Sequence, residues 1–122
     1  MRDEKKYDIY ERSFKFAVRV AKLLRSCPKD YIALEYNRQL IRSSGSIGAN
    51  IEEADGTLTK KDFVNKMGIS RREARESRHW LRLIQATMSI KTEKVRGEFD
   101  SLINEAKEIM LILSAIINKI RL

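Results

Sequence analysis

The sequence predicts an all-α fold, an antiparallel up-and-down four-helix bundle, on three observations. Apolar and small residues recur at alternating steps of four and three along four separate segments. That is the spacing of left-handed helix packing at about 3.5 residues per turn. Turn-forming residues are few, with one Pro and five Gly in 122 residues. No segment shows the alternation of period two that a half-buried strand needs.

The first helix is expected over 8–26, with Tyr10, Phe14, Ala17, Ala21 and Leu24 on its seam, and Pro28 follows its end. The second, over 31–55, carries Ala33, Asn37, Leu40, Ser44, Ile47, Ile51, Ala54 and, just beyond, Leu58. Asp30 can cap its start and Gly56 can close it in the manner of a C-terminal glycine. The third, over 60–90, has Phe63, Met67, Ser70, Ala74, Ser77, Leu81, Ile84 and Met88 on its seam, and Thr59 with Asp62 makes a capping-box variant at its start. The fourth, over 93–121, has Val95, Phe99, Leu102, Ala106, Ile109, Leu113, Ile116 and Ile120, with Thr92 as its cap. Residues 1–122 thus read as one domain, long enough to bury a core of its own.

Several stripes have a second apolar edge: Phe16, Val20 and Leu23 on the first helix, Leu34, Ile41 and Gly48 on the second, Ile103, Met110 and Ile117 on the fourth. One buried face per helix is enough for a monomeric bundle. The extra width fits either a thick core or a contact between subunits.

The second helix also holds an unusual run, Arg42–Gly56, RSSGSIGANIEEADG, in which Ser43, Ser44, Gly45, Ser46, Gly48 and Ala49 are all small. A glycine inside a helix costs roughly 1 kcal/mol relative to alanine. Gly45 and Gly48 are therefore expected to mark a close approach of another backbone. Asn50, between Ile47 and Ile51, is expected to be at least half buried and structural, since a buried amide must find partners and can fix helix register.

With Lys61-Asp62-Phe63 and EARESRHWLRLI over Glu73–Ile84, the pattern S-I-G-A-N-I-x-E-A resembles a family of bacterial four-helix-bundle proteins. These were first noticed in intervening sequences of 23S rRNA genes, and they include relatives of the accessory protein of diversity-generating retroelements. The resemblance runs from about Phe14 to the C-terminus. It implies the bundle fold, a ring-shaped homopentamer and kinship with retroelement accessory proteins, which bind nucleic acid and a reverse transcriptase. It implies no activity of its own.

Composition bounds the function. Lys and Arg number 25 against 17 Asp and Glu, a net charge of +8. Such a balance favours a polyanionic partner, RNA or DNA first. A single cysteine, Cys27, rules out an internal disulfide and suits a reducing cytoplasm. The longest apolar runs fall well short of the ~18 residues of a membrane span, and the N-terminal MRDEKKYD has no apolar core of a signal peptide. A soluble cytoplasmic protein is expected.

Enzyme chemistry finds no support. Glu76 and His79 form an E-x-x-H pair, but a di-iron bundle needs two such pairs and two further Glu, and His79 is the only histidine. Cys27 lies near Arg25 and Lys29 but has no base assigned to it. Ser43, Ser44 and Ser46 lack one too. The Gly45/Gly48 pair is not followed by G-K-[ST] and is no phosphate loop. Glu52, Glu53 and Asp55 at a helix end read as solvated or ion-paired. No cofactor or metal is expected.

The charged faces are the best functional clue. Arg71, Arg75, Arg78 and Arg82 recur at i, i+4, i+7 and i+11 on the third helix, with Glu73, Glu76 and Trp80 on the opposite flank. Arg12, Lys15, Arg19 and Lys22 form a second stripe, placed opposite the apolar side of the first helix. Each stripe can be a solvated face. Each can also bind phosphate backbones, which arginine grips in bidentate fashion without reading sequence. On the third helix the acid/base split also suits a head-to-tail contact, with Glu73, Glu76 and Trp80 at a subunit interface. The reading is a non-enzymatic homo-oligomer, pentameric by the resemblance, that binds nucleic acid, RNA before DNA. Its alternative is an oligomeric scaffold for an acidic protein.

Overall fold

The computed structural model describes the backbone of residues 4–89 and 92–121 and the side chains of 8–89 and 92–120. Four helices follow in order: α1 (Glu4–Arg25), α2 (Tyr31–Asp55), α3 (Lys60–Thr87) and α4 (Glu93–Arg121), and no strand occurs among the described residues. Each helix packs against its two neighbours around a ring, α1 on α2 and α4, α3 on α2 and α4, with the α2–α3 pair the most intimate. This is a four-helix bundle.

The caps form as the turn residues dictate. Asp30 accepts from the Ala33 amide at 2.9 Å, Thr59 from the Asp62 amide at 3.1 Å and Thr92 from the Val95 amide at 3.2 Å. Gly56 caps α2 at φ −93°, so it uses no left-handed conformation and is not there for backbone freedom. The third helix stops at Thr87, where Met88 turns extended; the expected end at residue 90 lies outside the described residues.

The seams of α3 and α4 face the core in the expected register, from Met67 to Ile84 and from Phe99 to Leu113. On α2, Asn37, Leu40, Ser44, Ile47, Ile51 and Ala54 are buried, whereas Leu58 lies beyond the helix and is 99% exposed. Small hydroxyl residues let α2 and α3 approach closely: Ser43 and Ser77 share a hydrogen bond of 2.8 Å, and Ser70 donates to the Ile47 carbonyl at 2.8 Å.

The first helix is turned relative to expectation. Its buried face is Ile9, Ser13, Phe16, Val20, Leu23 and Leu24, with Cys27 buried just beyond its end. Phe16, Val20 and Leu23 are the stripe read as a second edge; of the expected seam Leu24 is buried, Tyr10 and Ala17 are partly so, Phe14 is 54% exposed and Ala21 is at the surface. Two apolar stripes compete on this helix. Burial scales with area, so in the middle of the helix Phe16, Val20 and Leu23 win over Ala17 and Ala21, while the two stripes converge on the core at Leu24. On α2, by contrast, the second edge stays outside at Leu34 and Ile41, while its third member, Gly48, faces α1. The extra apolar width of α1 and α2 is therefore surface rather than thick core.

The small-residue run meets its neighbours unevenly. A Cβ on Gly48 would stand 3.4 Å from Ser13 Oγ and 3.9 Å from Tyr10 Cε1, so Gly48 does face α1 closely. Gly45 has nothing within 4 Å of its would-be Cβ, and the expected close approach is absent there. Asn50 is half-buried and donates to the Ser46 carbonyl of its own helix at 2.8 Å. It bridges no pair of helices, and register is set by the serines instead.

Candidate nucleic-acid interface

Turning α1 changes what its basic stripe can do. Arg12 and Arg19 flank the buried Phe16, which aims both at α4. Arg12 forks onto Glu105 at 2.7 and 2.8 Å. Arg19 holds Glu98 at 3.2 and 2.8 Å and also donates to Ser101 at 2.8 Å. Hydrogen bonding to Glu105 and to Glu98, opposed by partial burial, raises both guanidinium pKa values from an already high range. Lys15 and Lys22 remain exposed, but the stripe is not opposite the core, and half of it is neutralised within the chain.

The acidic flank of α3 is also engaged at home. Glu73 is buried and takes Arg42 of α2 at 3.1 Å, while the other arm of Arg42 holds Glu76. Trp80 Nε1 donates to Glu76 at 3.2 Å, and the indole lies 5.8 Å from the Tyr36 ring. The structure thus brings Glu73, Glu76 and Trp80 together, but around Arg42 of the same chain. Both carboxylates are matched within the chain. Glu76 being so occupied, the E-x-x-H pair is no ligand set. Among the described residues no group of three or more His, Cys, Asp or Glu could hold a metal.

The basic side of α3 is different. Arg71 donates to Ser114 of α4 at 3.1 Å, and the Nε of Arg78 is enclosed without a hydrogen-bond partner. Arg75 and Arg82 are exposed, and among the described residues neither they nor Arg78 has a carboxylate within ion-pair distance. Arg72, His79 and Arg96 also sit on this side, exposed. Arg72, Arg75, His79 and Arg82 follow steps of three, four and three, a helical line that the wider seam of arginines obscures in the sequence. Arg96 comes from α4, and only the antiparallel turn after α3 brings it beside Arg82.

The profile of the 23S rRNA-intervening sequence protein family matches residues 5–115. The chain belongs to that family. A solved structure from Bacteroides thetaiotaomicron, a protein of unknown function from the S23 ribosomal protein family, is 34% identical to it. That comparison covers 93% of this chain and 98% of the other, with a TM-score of 0.77. No curated protein matches the chain significantly. Family and fold therefore agree. No helix among the described residues is long and apolar enough to cross a membrane.

Proposed function

We propose that this protein is a non-enzymatic, homo-oligomeric bundle that binds nucleic acid, RNA before DNA, through the basic side of α3. The observation that carries this reading is the contrast in pairing. Arg12, Arg19 and Arg42 are held by carboxylates of their own chain, whereas among the described residues Arg75, Arg78 and Arg82 have none within ion-pair distance. Guanidinium groups held on a rigid helix with no internal counter-charge suit phosphate oxygens, and phosphate contacts need no sequence motif.

Self-association draws support from α1 and α2. Phe14 and Val18 are exposed along an apolar groove that Gly45 and Gly48 also line, and contiguous apolar surface of this kind marks contact sites. The family resemblance adds five as the expected number of copies, and a reverse transcriptase as a partner to test. Sedimentation equilibrium should return a mass several times 14.2 kDa, and titration of labelled RNA should show saturable, salt-sensitive binding. A monomer that binds no RNA but captures an acidic protein would overturn both parts of the reading.

A further inference from the structure

On the reading that the protein binds nucleic acid, we infer that its ligand is a single strand, seated in the groove between the C-terminal half of α3 and the N-terminal half of α4. This groove is lined by His79, Arg82, Gln85, Arg96, Asp100 and Ile103. Arg82 and Arg96 face it from opposite helices, and among the described residues neither is paired with a carboxylate. The one acid in the lining, Asp100, accepts from Gln85 at 2.9 Å. Arg75 and Arg72 continue the line of charge along α3. From Arg72 to Arg82 is about 15 Å at 1.5 Å per residue, room for several nucleotides.

Geometry decides between single and double strands. A helix that reads a duplex enters a major groove about 12 Å wide in B-DNA, and the A-form major groove of RNA is too narrow for side chains to read. One helix with its side chains is already about 10–12 Å across, and here α4 stands beside α3. The pair cannot enter together, so a duplex would meet only the outer phosphates. A single strand can lie in the furrow between two helices packed at about 8–10 Å. It would also find one ring to stack on. His79 is exposed in the groove and held against Trp80, with centroids 5.0 Å apart and planes at 68°. Basic grooves with aromatic platforms are how unpaired strands are bound without regard to sequence.

Fluorescence anisotropy on the full chain tests this with single-stranded oligo(U) and oligo(dT) of about 20 nucleotides and their duplexes with complementary strands. Single strands should bind at least about tenfold more tightly than duplexes at equal salt, and whichever sugar binds better names the natural strand. Arg82→Gln with Arg96→Gln should weaken single-strand binding about tenfold or more and make the log–log salt slope shallower by about 0.7 per lost contact. His79→Ala should weaken binding by about fivefold or more and leave the slope unchanged, because stacking releases no counterions. Asp100→Asn should strengthen binding. Lys15→Gln with Lys22→Gln, on the far side, should change nothing. Should the wild type bind while the Arg82/Arg96 variant, still folded by circular dichroism, binds equally well, the groove is wrong and nucleic-acid binding stands. Equal affinity for duplex and single strand also overturns the groove. No binding of any strand by the wild type overturns the broader reading itself.

Discussion

Replacing Arg42 with methionine removes the clamp between α2 and α3 and leaves the Glu73 carboxylate buried without its cation. Taking one partner from a fully buried ion pair costs about 3–5 kcal/mol. Here the Glu73 side chain is 8% exposed but Arg42 is 49% exposed, and Glu76 is 33% exposed. Water can thus reach the vacated side, which lowers the expected cost to about 1–3 kcal/mol. For 122 residues, at about 2.1 cal/mol/K each, unfolding entropy is about 0.26 kcal/mol/K, so each kcal/mol moves Tm by about 4 °C. Arg42→Met should therefore melt about 4–12 °C lower. Trp80 is the only tryptophan and donates to Glu76, so its fluorescence reports both unfolding and the loosened clamp. Arg42→Met with Glu73→Met should recover most of the loss, since removing both partners leaves no uncompensated charge. A single variant within about 2 °C of wild type would refute the idea that this clamp ties α2 to α3.

Other perturbations separate the remaining contacts. Gly48→Leu should overpack against Ser13 and Tyr10 and cost about 1–3 kcal/mol, whereas Gly45→Ala, with open space around it, should stabilise the isolated protomer by up to about 1 kcal/mol; urea titrations of both check this. Arg12→Gln and Arg19→Gln should each lose about 0.5–1 kcal/mol from pairs that are partly exposed, while Lys15→Gln and Lys22→Gln should melt as wild type. Burial pushes the Cys27 thiol pKa up, against weaker lowering by Ser26 and Lys29. Above about pH 8.5 the unfolded thiol ionises before the folded one, so wild type should lose stability with rising pH relative to Cys27→Ala, and the native thiol should react slowly with a disulfide reagent.

The bundle was legible because the steps of four and three on α3 and on α4 up to Leu113 coincide with the buried face, the second edge of α4 only widening it at Ile103, Met110 and Ile117. On α1 two stripes have the same period, and in the middle of the helix the larger Phe16, Val20 and Leu23 are buried in place of Ala17 and Ala21. That one rotation carries Arg12 and Arg19 from an open face into ion pairs with α4. The charged site was partly legible. Among the described residues Arg75, Arg78 and Arg82 have no carboxylate partner, but Arg42 reaching across to Glu73 and Glu76 leaves no trace in local spacing, because its partners lie over thirty residues away. Arg96 was hidden for the same reason, and Gly45 shows that small residues alone do not say which neighbour, if any, comes close.

The most direct test of the account is the salt dependence of wild-type binding to single-stranded RNA. Arg72, Arg75, Arg82 and Arg96, each exposed, can offer about four phosphate contacts, which at about −0.7 per contact gives a log–log slope near −3. A slope of about −2 to −4 with saturable binding is the predicted result. Binding that is absent at low salt, or present with a slope near zero, would contradict a nucleic-acid role for the basic side of α3.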